Sequence, residues 1–143
     1  MAGRITLWGA EQFLKSFFGK TVLPPDIFYL ALVRNTPPSP YISGMELEEP
    51  TENYARIQIP NNGDFWNDPG QKQTIVLADE VVVEAGGEWG QIRYWALCNA
   101  AEGGYLYACG SLESPQTVAT GDNLTLTEGD LVITLGPFYT GDF

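Results

Sequence analysis

The chain has no histidine, only two cysteines, and seven basic side chains against eighteen acidic ones. Each shortage removes a class of function. Without imidazole the usual general base near neutral pH is missing, and so are the Ser–His and Cys–His nucleophile pairs. Two cysteines with no histidine cannot complete a zinc site. A formal charge of −11 repels phosphate, so nucleic acid is excluded as a partner. No apolar run is long enough to cross a bilayer as a helix, and no membrane partner is expected. Glu11, Gln12 and Lys15 interrupt what would be the apolar core of a secretory signal, so synthesis and assembly in a cytosol are expected.

What is present reads as strands. The stretch from Trp89 to Leu112 alternates large apolar groups on both sides of Asn99-Ala-Ala-Glu-Gly-Gly104, the pattern of a hairpin whose glycines supply positive φ. In its first strand Ile92, Tyr94, Ala96 and Cys98 should face one way, and Arg93, Trp95 and Leu97 the other. With the turn on Gly103-Gly104, Cys98 and Cys109 should lie opposite each other as buried free thiols. Asp26–Val33 is a strand apolar on both faces. Tyr54–Ile59 alternates, with Ala55, Ile57 and Ile59 inward and Arg56 and Gln58 outward. Gln73–Ala78, Glu80–Glu84, Gln116–Ala119 after Pro115, Asn123–Thr127 and Leu131–Leu135 complete the set. The expected fold is all-β, an antiparallel β-sandwich of jelly-roll type with a short N-terminal amphipathic helix, in one domain of residues 1–143.

That helix is residues 5–18, with Leu7, Ala10, Phe13, Leu14, Phe17 and Phe18 on one stripe and Glu11, Gln12, Lys15 and Ser16 opposite. Gly19 stops it in a left-handed conformation. The favoured reading packs the stripe on the chain's own sandwich; the functional one docks it on a neighbouring subunit. Segment 136–143 carries Phe138, Tyr139 and Phe143 without period, rings expected on the core or on another subunit. Leu7, Phe13, Leu14, Phe17, Phe18, Phe138, Tyr139 and Phe143 are the candidate interface residues.

Chemistry is sparse. Glu46, Glu48, Glu49 and Glu52 crowd a proline-rich loop over 35–53, but without the spacing and turn glycine of a calcium loop, and a solvated acidic loop is expected. Asn61–Asp68 reads as a turn rather than a metal site. Glu80 and Glu84 fall where exposed strand positions fall, so a carboxylate pair of the glycosidase kind is not supported. No catalytic residue, cofactor or metal site is assigned.

In order along the chain, Tyr29-Leu-Ala-Leu32, Tyr54-Ala-Arg56, the Trp89-Gly90 start of the hairpin, its Gly103-Gly104 turn and the later Gly121-Asp122 turn resemble a family of small tailed-bacteriophage virion accessory proteins, labelled tail-fibre or head-decoration proteins. The likeness implies a non-enzymatic β-sandwich made in the host bacterial cytoplasm and built into the virion. It also implies contact with the major capsid protein or tail proteins, as a homo-oligomer. A capsid-decorating or cement protein is the leading expectation. The alternatives are a tail-fibre or tail-tip structural protein, and a carbohydrate-binding module for host attachment that would use Trp66 or Trp89 to stack on sugars.

Overall fold

The alternation of β-branched and aromatic residues produces mostly strand, as a computed structural model of residues 3–39, 44–70, 74–128 and 130–135 shows. Among these described residues the order is β1 (Gly3–Ile5), α1 (Leu7–Phe17), β2 (Ile27–Val33), a 3₁₀ turn (Gly44–Glu46), β3 (Ile57–Pro60), β4 (Trp66–Asn67), β5 (Thr74–Leu77), β6 (Val81–Glu84), β7 (Gly90–Cys98), β8 (Leu106–Val118), β9 (Asn123–Leu126) and β10 (Val132–Thr134). The fold is all-β with one short N-terminal helix.

Its two layers are unequal. One sheet has eight strands in the order β3-β2-β7-β8-β1-β10-β5-β4, and the other is the β6-β9 ribbon. Only the β1–β10 pairing is parallel among the described ladders. The Phe28 ring on β2 meets Trp66 on β4 edge-on at 5.7 Å. Strands near opposite ends of the order therefore touch, and the wide sheet curls round. The ribbon closes over it, because Val81, Leu124 and Leu126 share one core with Leu30, Leu32, Ile92, Trp95, Leu97 and Leu112. The opposite face carries a smaller cluster of Ala31, Val33, Ala96, Cys98 and Leu106, against which Leu47 from the acidic loop packs.

The hairpin is where expected, with Gly103 and Gly104 at φ 62 and 74. Its facing differs in two places. A register shift between Ile92 and Tyr94 moves Ile92 onto the face of Trp95 and Leu97, away from Tyr94 and Ala96. The regular part of the ladder already sets Cys109 opposite Ala96, and a second shift, at Leu97/Cys98, pairs Cys98 with Leu106. The two free cysteines are therefore not opposite each other. The first shift leaves three extra residues on β8, with 112–115 against Arg93, and the second leaves one, Tyr107; a strict period of two cannot anticipate either. Pro115 does not start a new strand either. β8 runs through it, with Tyr94 opposite Ser111 and Ile92 opposite Gln116, so the proline falls in an irregular interval where its missing N–H costs no ladder bond.

Two further expectations change. β1 was not anticipated, since three residues carry no readable period. The strand over Tyr54–Ile59 narrows to β3, with Ala55 exposed and Arg56 buried, the reverse of their expected facing.

Gly9 fixes how α1 sits. A Cβ there would come within 2.1 Å of the Tyr107 carbonyl oxygen, a contact no side chain can make. Gly9→Ala should therefore detach the helix despite alanine's better helix propensity, at a net cost of about 1–3 kcal/mol. Urea unfolding measures it, and a gain in stability would refute the close approach.

Candidate functional site

Thr6 caps α1. Its Oγ1 accepts from Gly9 N at 2.9 Å and donates to the Leu106 carbonyl, while its own N–H reaches Tyr107 O at 2.9 Å. Trp8 stacks on Tyr105 with ring centroids 5.2 Å apart and leans on Tyr107 at 4.9 Å. Trp8, Gly9, Gln12 and Ser16 are thus the more buried side of the helix. At 100° per residue they lie on one face, opposite Leu7, Ala10, Leu14 and Phe17.

The helix is consequently mounted with its apolar side outward. Leu7 is 61% exposed, Phe13 46%, Leu14 53%, Phe17 68% and Phe18 66%. The favoured expectation that this stripe packs on the chain's own sandwich is corrected, because the body is met by a small residue and a tryptophan instead. Phe13 and Phe17 stack at 6.1 Å, and Phe17 meets Phe18 edge-on at 5.0 Å, so the outward rings form one continuous patch. Gly19 at φ 86 ends the helix as expected, and Lys20 continues left-handed at φ 54. The connector beyond adds Leu23, 79% exposed. Between connector and helix lies an apolar groove of about 850 Å³, floored by Phe28 and Tyr107 and edged by Lys20. Of the candidate interface residues, the structure brings the five on the helix together. Phe138, Tyr139 and Phe143 lie outside the described residues.

A second constellation was not anticipated. All five N–H groups of Arg56 are used: Nε and Nη2 on the Glu49 carboxylate, both at 3.0 Å, Nη1 on the Ala100 and Gly103 carbonyls, both at 2.8 Å, and Nη2 also on Gly44 O at 3.0 Å. Glu49 further accepts from Tyr54 Oη at 2.7 Å, and Tyr54 Oη accepts from Leu32 N at 2.9 Å. Burial is the strongest single influence and opposes the charge on Arg56, but the hydrogen bonds to Glu49 together with the neighbouring Cys98, Glu49 and Tyr54 groups outweigh it and raise its pKa. Burial also raises the Tyr54 phenol, with the Glu49 charge adding to it. With every donor occupied, the guanidinium has none left for a ligand. It ties the acidic loop and the hairpin turn to β3. No sequence signal links Arg56 to Glu49, which sits seven residues earlier on a loop.

The acidic loop is thus bonded rather than simply solvated, which corrects that expectation. Glu48 accepts from Asn35 N at 2.7 Å, and that bond first, with the Arg34 charge adding, holds its carboxyl below the usual range. Glu52 accepts from Glu88 N at 3.0 Å, and its carbonyl accepts from Trp89 Nε1 at 2.8 Å. Among the described residues no group of three or more cysteines and carboxylates converges to hold a metal, and no helix is long and apolar enough to cross a membrane. Burial pushes the Cys98 thiol up to about 12, far from a reactive thiolate.

Of the two tryptophans expected to stack on sugars, Trp89 is out of reach. Trp89 is 3% exposed, and Trp66 is half-buried with Phe28 set against it.

A search among curated proteins found no match. A family model described as podophage GP4 fiber I protein gp80 matches residues 4–134, from within β1 to the last residue of β10. That span takes in both sheets, α1 and the Arg56 node, and on it the chain belongs to the podophage GP4 fiber I protein gp80 family.

Proposed function

We propose that the chain is a non-enzymatic structural component of a podophage fibre, joined to other virion proteins through the outward face of α1. The matching family is described as a podophage fiber protein. It supports a fibre location ahead of the capsid-decorating role that leads the reading of the sequence. The observation that carries the contact surface is the inverted mounting of α1. A helix held by Gly9 and Trp8, with Leu7, Phe13, Leu14, Phe17 and Phe18 in solvent, exposes apolar surface that association would bury. Several copies per fibre would multiply a modest contact into firm attachment.

Phe13→Ser with Phe17→Ser should leave the isolated chain folded, because neither side chain is in its core. Incorporation into particles should fall about tenfold or more, since each ring forfeits burial worth about 1.5–3 kcal/mol. Quantitative mass spectrometry of purified particles reads the loss, and unchanged incorporation would remove α1 from the interface. Copy number in the same measurement separates fibre from head, a handful against hundreds.

A further inference from the structure

The outward face of α1 is spaced as well as apolar. Leu7, Ala10, Leu14 and Phe17 follow one another at intervals of 3, 4 and 3 residues, the seam along which one helix receives another. The match for such a seam is a second helix with the same spacing. Among the described residues α1 is the only α-helix, so the match this chain carries is the α1 of another copy.

Area and charge both suit that pairing. Leu7, Phe13, Leu14, Phe17 and Phe18 are about half to two-thirds exposed and together present about 550 Å² of side-chain surface. Two such faces bury up to about 1,100 Å², the small end of specific interfaces. Elsewhere two copies of a chain carrying −11 repel each other. Here the helix supplies Glu11 as its one acid, and no carboxylate lines the adjoining groove. Glu11 and Lys15 pair at 2.7 Å along one flank of the seam. With two helices antiparallel, Leu7 comes level with Phe17 of the second copy, and Ala10 with Leu14. The four charges on that flank then balance, each Glu11 about 3 Å along the axis from the other copy's Lys15.

We infer that two copies of the chain pair antiparallel through α1 along the Leu7, Ala10, Leu14 and Phe17 seam, so that the virion protein met by this face is a second copy. This rests on the assignment of α1 as an assembly face. Ala10, the one small residue of the seam, sits opposite Leu14 at two symmetry-related places and lets the helices nest.

Sedimentation of the intact chain across the micromolar range should show a monomer–dimer equilibrium, which Leu14→Asp weakens about tenfold or more. Leu14 lies outside both cores, so that variant keeps its fold. Glu11→Lys and Lys15→Glu should each weaken pairing about fivefold. An equal mixture of those two variants should restore it, since one copy then sets two cations against two carboxylates. Direction is read by oxidising a mixture of a Leu7→Cys chain and a Phe17→Cys chain: the disulfide should join the two kinds. A monomer throughout, a dimer indifferent to Leu14→Asp, no restoration in the mixture, or disulfides between like chains would each overturn the inference. Incorporation into particles reads α1 independently. A monomeric chain that still loses incorporation with Phe13→Ser and Phe17→Ser keeps α1 as an assembly face and assigns its partner to another virion protein.

Discussion

Glu49→Ala should lower the free energy of unfolding by about 3–5 kcal/mol, the range for breaking a buried ion pair from one side. The Arg56 side chain is 3% exposed and that of Glu49 18%. Removing the carboxylate strands a guanidinium that keeps only its three carbonyl partners. It also deprives Tyr54 Oη of its acceptor. Arg56→Lys cannot rescue the node, because a rotating ammonium has three donors and no planar fork. Glu49→Ala with Arg56→Leu should cost less than the sum of the single changes, since no charge is then left buried. Urea unfolding with an unchanged m value measures each. The damage should also be local, with faster amide exchange at Gly44, whose N–H bonds Gly104 O at 2.8 Å, and at Arg34, whose N–H bonds Glu48 O at 2.9 Å. A loss below about 1 kcal/mol, typical of an exposed pair, would mean that the loop is held by Leu47 and its neighbours instead.

How much of this was legible follows from the range of the forces involved. The hairpin declared itself because positive φ at Gly103 and Gly104 and the alternation of its rings are local demands. The helix declared its two faces for the same reason. Which face turns inward was not written locally. It depends on Gly9 meeting Tyr107 and Trp8 meeting Tyr105, residues about a hundred positions away, and a hydrophobic stripe is the usual guide only when the body offers an apolar trough. Arg56 misled in the opposite sense. Alternation along Tyr54–Ile59 sent it to solvent, whereas its five hydrogen bonds go to four residues on two other segments, the acidic loop and the hairpin turn. The irregularities beside Ile92 and Leu97 shift the register by three residues and by one, and a period of two carries no mark of where that happens. β1, three residues long, exists only through its neighbours β8 and β10.

Those neighbours set up the second large effect. Trp95→Ala should cost about 3–5 kcal/mol, because the ring is wholly buried at the centre of the main core. It also serves as the surface on which β1 closes. A Cβ at Gly3 would stand 2.2 Å from Trp95 Cζ2, and one at Gly110 2.9 Å from the same atom, so two strands come this near the ring only as glycine. Gly3→Ala alone should cost about 1–3 kcal/mol by overpacking, with the Cys109 carbonyl at 2.8 Å adding to the crowding. Combined with Trp95→Ala it should cost clearly less than the sum, since the cavity receives the new methyl. Trp95→Phe separates volume from polarity: the indole N–H is buried without a hydrogen-bond partner among the described residues. Phenylalanine gives up part of the packing but also removes that unpaired donor, and should lose about half as much as alanine or less. Thermal unfolding of the four variants reads the series. Strict additivity of Gly3→Ala and Trp95→Ala would show that β1 does not close on this ring, and the edge that carries α1 would then need another anchor.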